Sequence, residues 1–67
     1  MKLALDVMGG DRAPTVNILG AKAALELYPQ IEMIYLVGDE KTIAAECATH
    51  QLTSKKIRIV HAEEVIG

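Results

Sequence analysis

Apolar positions fall along this chain in two alternating patterns: short near-continuous runs, and longer stretches with the spacing of one helix face. The first run, KLALDV at 2–7, has Leu3, Ala4, Leu5 and Val7 almost unbroken. That is the pattern of a strand buried on both faces, and the glycines that follow stop it too early for a helix. Pro14 to Tyr28 reads as a helix, with Val16, Leu19, Ala23 and Leu27 on an inner face and Gly20 and Ala24 beside them. Asn17, Lys22 and Glu26 fall on the opposite side. Pro14 suits the first turn, where a missing N–H costs nothing, and Pro29 ends the helix. Gly20 costs up to about 1 kcal/mol relative to Ala in a helix interior, and close approach to a sheet is its expected reason. A second buried strand follows at Met33 to Val37 within EMIYLVG, stopped by Gly38. Residues 39–52 read as a helix with Asp39 as N-cap and Ile43, Ala44 and Cys47 facing inward. KIRIVHA at 56–62 is the third strand. Strand–helix–strand–helix–strand at this spacing predicts parallel pairing through right-handed crossovers. The fold class is α/β: a three-layer, Rossmann-like parallel sheet built on a βαβαβ unit.

Composition narrows the picture. Hydrophobic residues make up 51% of the chain, and the aromatic ones are only Tyr28 and Tyr35, so the core must be aliphatic and alanine-rich. The net charge of −2, without a basic surface or an aromatic row, argues against nucleic-acid binding. Cys47 is alone, which rules out an internal disulfide and fits a reducing compartment. The run at MKLALDVM is broken by Asp6 and is too short for a signal segment or a membrane span, so the expected location is the cytoplasm. A chain of 67 residues buries only about 60% of the surface its unfolded form exposes. Its last stretch, IRIVHAEEVIG, has strand-like residues with no helix after them. Residues 1–67 are therefore expected to be the N-terminal βαβαβ portion of a larger α/β domain, inactive alone.

Parallel strands would bring three loops to one edge: Asp6 to Ala13, Gly38 to Glu40, and His61 to Glu63. Ligands bind at that edge in open α/β sheets. Gly9 and Gly10 allow left-handed dihedrals and close approach of a ligand to the main chain. The N–H groups from Met8 to Arg12, at or near a helix N-terminus, form a candidate anion site, the dipole adding about 0.3–2 kcal/mol. Asp6 is expected to accept N–H bonds from its own loop, and Asp11 to cap the helix. His61, ending the third strand, is a candidate general acid, against the commoner reading of a bonded structural residue. Met8 reads as a packing plug, Cys47 as core, His50 as a helix-end residue, and Glu63 and Glu64 as solvated. Lys55, Lys56 and Arg58 fall at the far end of the sheet and receive no role in the site. The chain carries neither G-x-G-x-x-G, G-x-x-x-x-G-K-[ST] nor G-x-S-x-G, so no standard dinucleotide, P-loop or serine-nucleophile motif is present.

The string Asp6, Met8, Gly9, Gly10, Asp11 and Pro14, in the pattern D-x-M-G-G-D-x-x-P, resembles the amino terminus of the bacterial phosphate acyltransferase (PlsX) family. YLVGDE at 35–40 and IVHAEEVI at 59–66 agree in order and spacing. The resemblance implies a longer chain, similar in fold to the isocitrate and isopropylmalate dehydrogenases. It implies an enzyme of phospholipid synthesis that forms acyl phosphate from acyl-(acyl-carrier-protein) and inorganic phosphate, with no cofactor and no metal. A cytoplasmic homodimer, peripheral at the membrane through other parts of the chain, is implied as well. Carried onto this sequence, the catalytic candidates are Asp6, Asp11 and His61. The phosphate-binding candidates are Met8, Gly9, Gly10, Asp11 and Arg12. A non-catalytic phosphate- or nucleotide-binding module on the same topology is the alternative from a different class.

Overall fold

The structure, a computed structural model, describes residues 1–9 and 14–62. Five elements follow in the expected order: β1 (Lys2–Asp6), α1 (Thr15–Leu27), β2 (Met33–Gly38), α2 (Glu40–Thr49) and β3 (Ile57–His61). The sheet has the order β1-β2-β3, and both pairings are parallel. The register sets Leu5 beside Leu36 and Leu36 beside Ile59, and it sets Gly38 beside His61. The fold is thus α/β, a three-stranded parallel sheet with a helix in each crossover, consistent with a Rossmann-like unit.

The layering differs from the three layers expected. α1 and α2 pack against each other, so they share one face of the sheet, and the described residues form two layers. The cause is topological. A strand order that advances in one direction through crossovers of one hand keeps every connection on the same side. Helices reach the second face only where the strand order reverses. Accordingly β2 alternates between half-buried and buried positions, while β1 and β3 are mostly exposed, rather than buried on both faces as their apolar runs suggest.

One aliphatic cluster holds the two layers together: Val7, Ile18, Ala21, Ile31, Ile34, Leu36, Ile43, Cys47 and Leu52. No aromatic ring belongs to it. Leu36, at the centre of the middle strand, is fully buried, as are Ile18 from α1 and Ile43 from α2. Cys47 is core, as expected, and burial raises its thiol pKa, with a further rise from the neighbouring Glu46.

The inward face of α1 is not the one its apolar spacing suggests. Ile18 and Ala21 are buried, and Ala24 and Leu25 pack against the core. Val16, Leu19 and Leu27 are 51%, 44% and 70% exposed. The sequence TVNILGAKAALEL carries apolar residues nearly all round, and Ile18, Ala21 and Leu25 also recur at i, i+3 and i+7. Close approach to the sheet does not explain Gly20: apart from its chain neighbours and its own helix backbone, no atom lies within 4 Å of the position its Cβ would take. With Val16, it borders an open apolar groove of about 430 Å³ whose other wall is Leu3 and Leu5. In α2, Ile43 and Cys47 face inward as expected, but Ala44 is exposed.

The basic cluster lies at the N-terminal ends of the strands. The amide of Ile34 donates to the carbonyl of Lys56 there. Arg58 Nη1 donates to the carbonyls of Lys55 and Ile57, and Lys56 Nζ donates to that of Pro29. The Arg58 guanidinium braces the turn that leads into β3, and Lys56 ties that turn to the segment before β2, both at the end remote from the three loops.

Candidate functional site

At the C-terminal edge, β1 runs directly into the glycine loop. The ladder continues one residue past the strand, with Val7 N–H donating to the carbonyl of Val37 at 3.0 Å. Val7 itself is fully buried, which anchors the start of the loop. Asp6 then turns the chain: its Oδ1 accepts the amide of Met8 at 3.0 Å, an Asx-turn. The expectation that Asp6 would bond its own loop is met, and the same bond engages the Met8 amide inside the turn. Anion donors in this loop must therefore be sought from Gly9 onward. Of the other phosphate-binding candidates, Gly10, Asp11 and Arg12 lie outside the described residues, as do the capping bond expected of Asp11 and the solvation expected of Glu63 and Glu64. Pro14 stands at the N-cap position of α1 without a side-chain cap.

A residue assigned to solvent from the sequence does the clamping. Asn17, in the first turn of α1, is half-buried and points at the loop. Its Nδ2 donates to the carbonyls of Val7 at 2.7 Å and Gly9 at 2.9 Å, with a longer contact of 3.3 Å to that of Asp6. An amide NH₂ carries two hydrogens, so the two short bonds are principal and the third shares a hydrogen. One side chain thereby ties the loop's main chain to the helix that follows it. The signal available in the sequence was an asparagine three residues after the proline that opens a helix behind a glycine pair. Asn17→Ala is expected to lower stability by about 1–2 kcal/mol, the partly buried Val7 carbonyl being the costliest to leave unpaired. It should also raise hydrogen exchange at Met8 and Gly9 with little change in β3, a pattern that amide-exchange NMR checks directly.

The second loop meets the first through Met8 and Gly38. Gly38 has φ +154°, and a Cβ built there would lie 2.6 Å from Met8 Cγ and 3.4 Å from Ile43 Cδ1. The Met8 side chain thus covers the end of β2, as a plug, while remaining 45% exposed. Immediately after it, Asp39 caps α2. Its Oδ1 accepts the amide of Lys41 at 3.0 Å and its Oδ2 the hydroxyl of Thr42 at 3.2 Å. The Lys41 bond is the main reason that its carboxyl is held below the usual carboxylate range, with Thr42 and the nearby His61 acting in the same direction against a smaller desolvation effect. A carboxyl whose folded pKa is depressed contributes stability above its unfolded pKa and loses it as pH falls through the folded value. Acid unfolding of Asp39→Ala should therefore show a shallower loss of stability below about pH 4 than the parent, measured by denaturant titration across that range. Because Asp39 is exposed, the difference is expected to be small.

The third loop joins through His61. Its Nδ1 accepts the amide of Glu40, the first residue of α2, at 3.2 Å, and the amide of Ala62 donates to the carbonyl of Gly38 at 2.9 Å. The structure therefore brings the described parts of all three loops to one edge. His61 and Gly38 are register partners there, and Asp6 lies one step away beside Val37. His50 sits at the other end of α2, its Nε2 3.5 Å from Glu46 Oε2 and its carbonyl accepting Lys22 Nζ. It takes no part in the edge.

The whole of residues 1–67 matches the model of a family described as "Fatty acid synthesis protein". The chain belongs to that family. Among its curated relatives, a protein named phosphate acyltransferase from Akkermansia muciniphila is 53% identical over 66 residues, covering 98% of this chain and 19% of the relative. Relatives of the same name from Geobacter and Clostridium beijerinckii are 43% and 42% identical over the full 67 residues, which make up 18% and 20% of their lengths. The chain thus spans about a fifth of the length of the family members it matches. The family assignment agrees with the one suggested by Asp6, Met8, Gly9, Gly10, Asp11 and Pro14. The same loop that carries the motif is the one Asn17 clamps.

Proposed function

We propose that this chain supplies one wall of the site in a phosphate acyltransferase that moves an acyl group from acyl carrier protein to inorganic phosphate, in the synthesis of phospholipids. The observation that carries the reading is the clamped loop. The start of the family's motif, from Asp6 to Gly9, lies at the C-terminal edge of a parallel sheet, its main chain held by Asn17 and its turn shaped by Asp6. That edge is where open α/β sheets bind ligands. A glycine pair leading into a helix N-terminus suits a tetrahedral oxyanion.

In the reaction, a phosphate oxygen attacks the thioester carbonyl, the C–S bond breaks, and acyl phosphate and the carrier thiol are formed. The proton of hydrogen phosphate ends on the thiol, so atoms and charges balance without a protein nucleophile. What the protein must provide is placement of phosphate against the carbonyl and donors for the developing oxyanion. In this reading, main-chain donors at Gly9, Gly10 and Arg12 face phosphate. Asp6 fixes the turn, and Asp11 orients the loop or the attacking oxygen. The wall is completed by the rest of an isocitrate dehydrogenase-like chain, working as a cytoplasmic homodimer that meets the membrane peripherally. The described residues include no helix long and apolar enough to cross a membrane.

Phosphate titration of the intact protein, followed by NMR at the loop amides, tests the assignment. Gly10→Ala should weaken phosphate binding about tenfold, while Lys55→Ala should leave it within about twofold, because a lost or misplaced donor to an anion is worth about 1.5–3 kcal/mol and a remote surface charge far less. Equal effects would remove the loop from the site. Binding of nucleotide with no acyl transfer in the parent would favour a non-catalytic module.

A further inference from the structure

Among the described residues β1 is an edge strand, paired only with β2. Its main-chain groups alternate in direction. The carbonyl of Met1 accepts the amide of Glu32, and Val7 N–H donates to the carbonyl of Val37, so the odd-numbered residues turn their backbone groups to β2. Lys2, Ala4 and Asp6 therefore turn theirs outward, along the open edge. The side chains alternate as well. Leu3 and Leu5 stand on the helix face, as one wall of the apolar groove of about 430 Å³ opposite Val16, Gly20 and Ala24. Lys2, Ala4 and Asp6 stand on the other face. Leu3 is 39% exposed, and an edge of this kind is a template for a further strand.

We propose that the β1 edge is an interface between two copies of this chain, which pair antiparallel about a twofold axis through Ala4 into one continuous sheet. The strand KLALD complements its own reverse. Centred on Ala4, the pairing sets Lys2 opposite the partner's Asp6, Leu3 opposite the partner's Leu5, and Ala4 opposite the partner's Ala4. Opposite charges and apolar side chains then meet as stabilising cross-strand pairs. The backbone agrees with the same register. Lys2, Ala4 and Asp6 fall at the hydrogen-bonded positions, and Leu3 and Leu5 at the closer ones between them. A slip by one residue would oppose outward backbone groups to inward ones, and a slip by two would lose both ion pairs. Parallel pairing in register would set like charges side by side. The other edge lacks this match, because in β3 a reversed copy sets Arg58 against Val60 and Ile57 against His61. The axis is perpendicular to the sheet, so both helix layers lie on one face. Leu3 and Leu5 of each copy then close the groove of the other, an isologous arrangement. The interface is independent of the acyltransferase reading.

Sedimentation equilibrium of the intact protein should show a concentration-dependent dimer. Lys2→Glu sets a carboxylate against the partner's Asp6 at both ends of the pairing and should weaken association about tenfold. Lys55→Glu makes the same change of charge in the turn before β3 and should stay within about twofold of the parent. A carbodiimide joins an amine to a carboxylate in direct contact. On the parent it should give covalent dimers linked from Lys2 to the partner's Asp6, a link that one copy cannot make with itself, since the two residues lie about 13 Å apart along the strand. The cross-link is read on the parent, so it decides the question even where Lys2→Glu proves unstable, which thermal unfolding shows. Parent-like association in a folded Lys2→Glu protein would overturn the proposal, as would covalent dimers without the Lys2–Asp6 link. A parent that stays monomeric would overturn it too, and would mean that something other than a second copy covers β1. Loss of phosphate binding or acyl transfer bears on the acyltransferase reading alone.

Discussion

Replacing Ile18 by alanine is expected to lower stability by about 2–5 kcal/mol, whereas Leu19→Ala, one position along the same helix, should change it by about 0.5 kcal/mol or less. The two side chains are nearly equal in size and their burial decides the difference: Ile18 is fully buried and Leu19 is 44% exposed. Ile18 stands in the cluster with Leu36 and Ile43, where truncation leaves a cavity between helix and sheet that rigid neighbours fill poorly. Denaturant unfolding of the two variants side by side measures the contrast. The opposite order would mean that α1 turns its Val16–Leu19–Leu27 stripe to the sheet, as its spacing suggests, and the groove beside Leu3 and Leu5 would then be closed. The comparison is sharp because the backbone, the helix and the number of carbons removed are the same in both variants.

That helix also shows which parts of the structure can be read from the sequence. The order of elements and the parallel pairing were legible, because runs, helical spacing, prolines and glycines all point the same way. Asp39 was legible as a cap for the same reason: a short acceptor stands just before a helical stretch, and it bonds Lys41 and Thr42 as such a residue should. The facing of α1 was not legible. An alanine-rich helix has a weak contrast between sides, and tertiary packing chooses among several permissible stripes. The third layer failed for a related reason. Apolar runs in β1 and β3 signal strands, but coverage of their second face depends on residues that no run of five can specify. At the edge itself, Asp6 could be foreseen because its bond spans two residues. The Asn17 clamp spans up to eleven residues, and the His61–Glu40 bond twenty-one. Such bonds follow from the crossover geometry, which becomes visible only once the strands are placed.

The same edge makes Gly38 a sensitive position outside the core cluster. Gly38→Ala is expected to lower stability by several kcal/mol through two separable causes. The backbone at φ +154° lies where side chains other than glycine are strained, at a cost of about 1–3 kcal/mol. The new Cβ also meets Met8 Cγ at 2.6 Å, and overpacking of this kind adds about 1–3 kcal/mol. Met8→Ala removes the clashing carbon but cannot relieve the backbone. In a double-mutant cycle, Met8→Ala should therefore recover the overpacking part in the Gly38→Ala background, while costing stability by itself. Written as the stability of the double variant above that expected from adding the two single losses, the coupling between the two sites would then be positive and about 1–3 kcal/mol, in the range seen for residues in direct contact. Zero coupling would show that Met8 does not seat on β2, and the first two loops would no longer be joined. A positive coupling accompanied by weaker phosphate binding in Gly38→Ala ties the plug to the site. Met8 follows the Asp6 turn and precedes Gly9, so any shift of its side chain is transmitted to the main chain that Asn17 holds. On that account, restoring stability through Met8→Ala should not restore binding fully, because the glycine loop loses the side chain that locates it against the sheet.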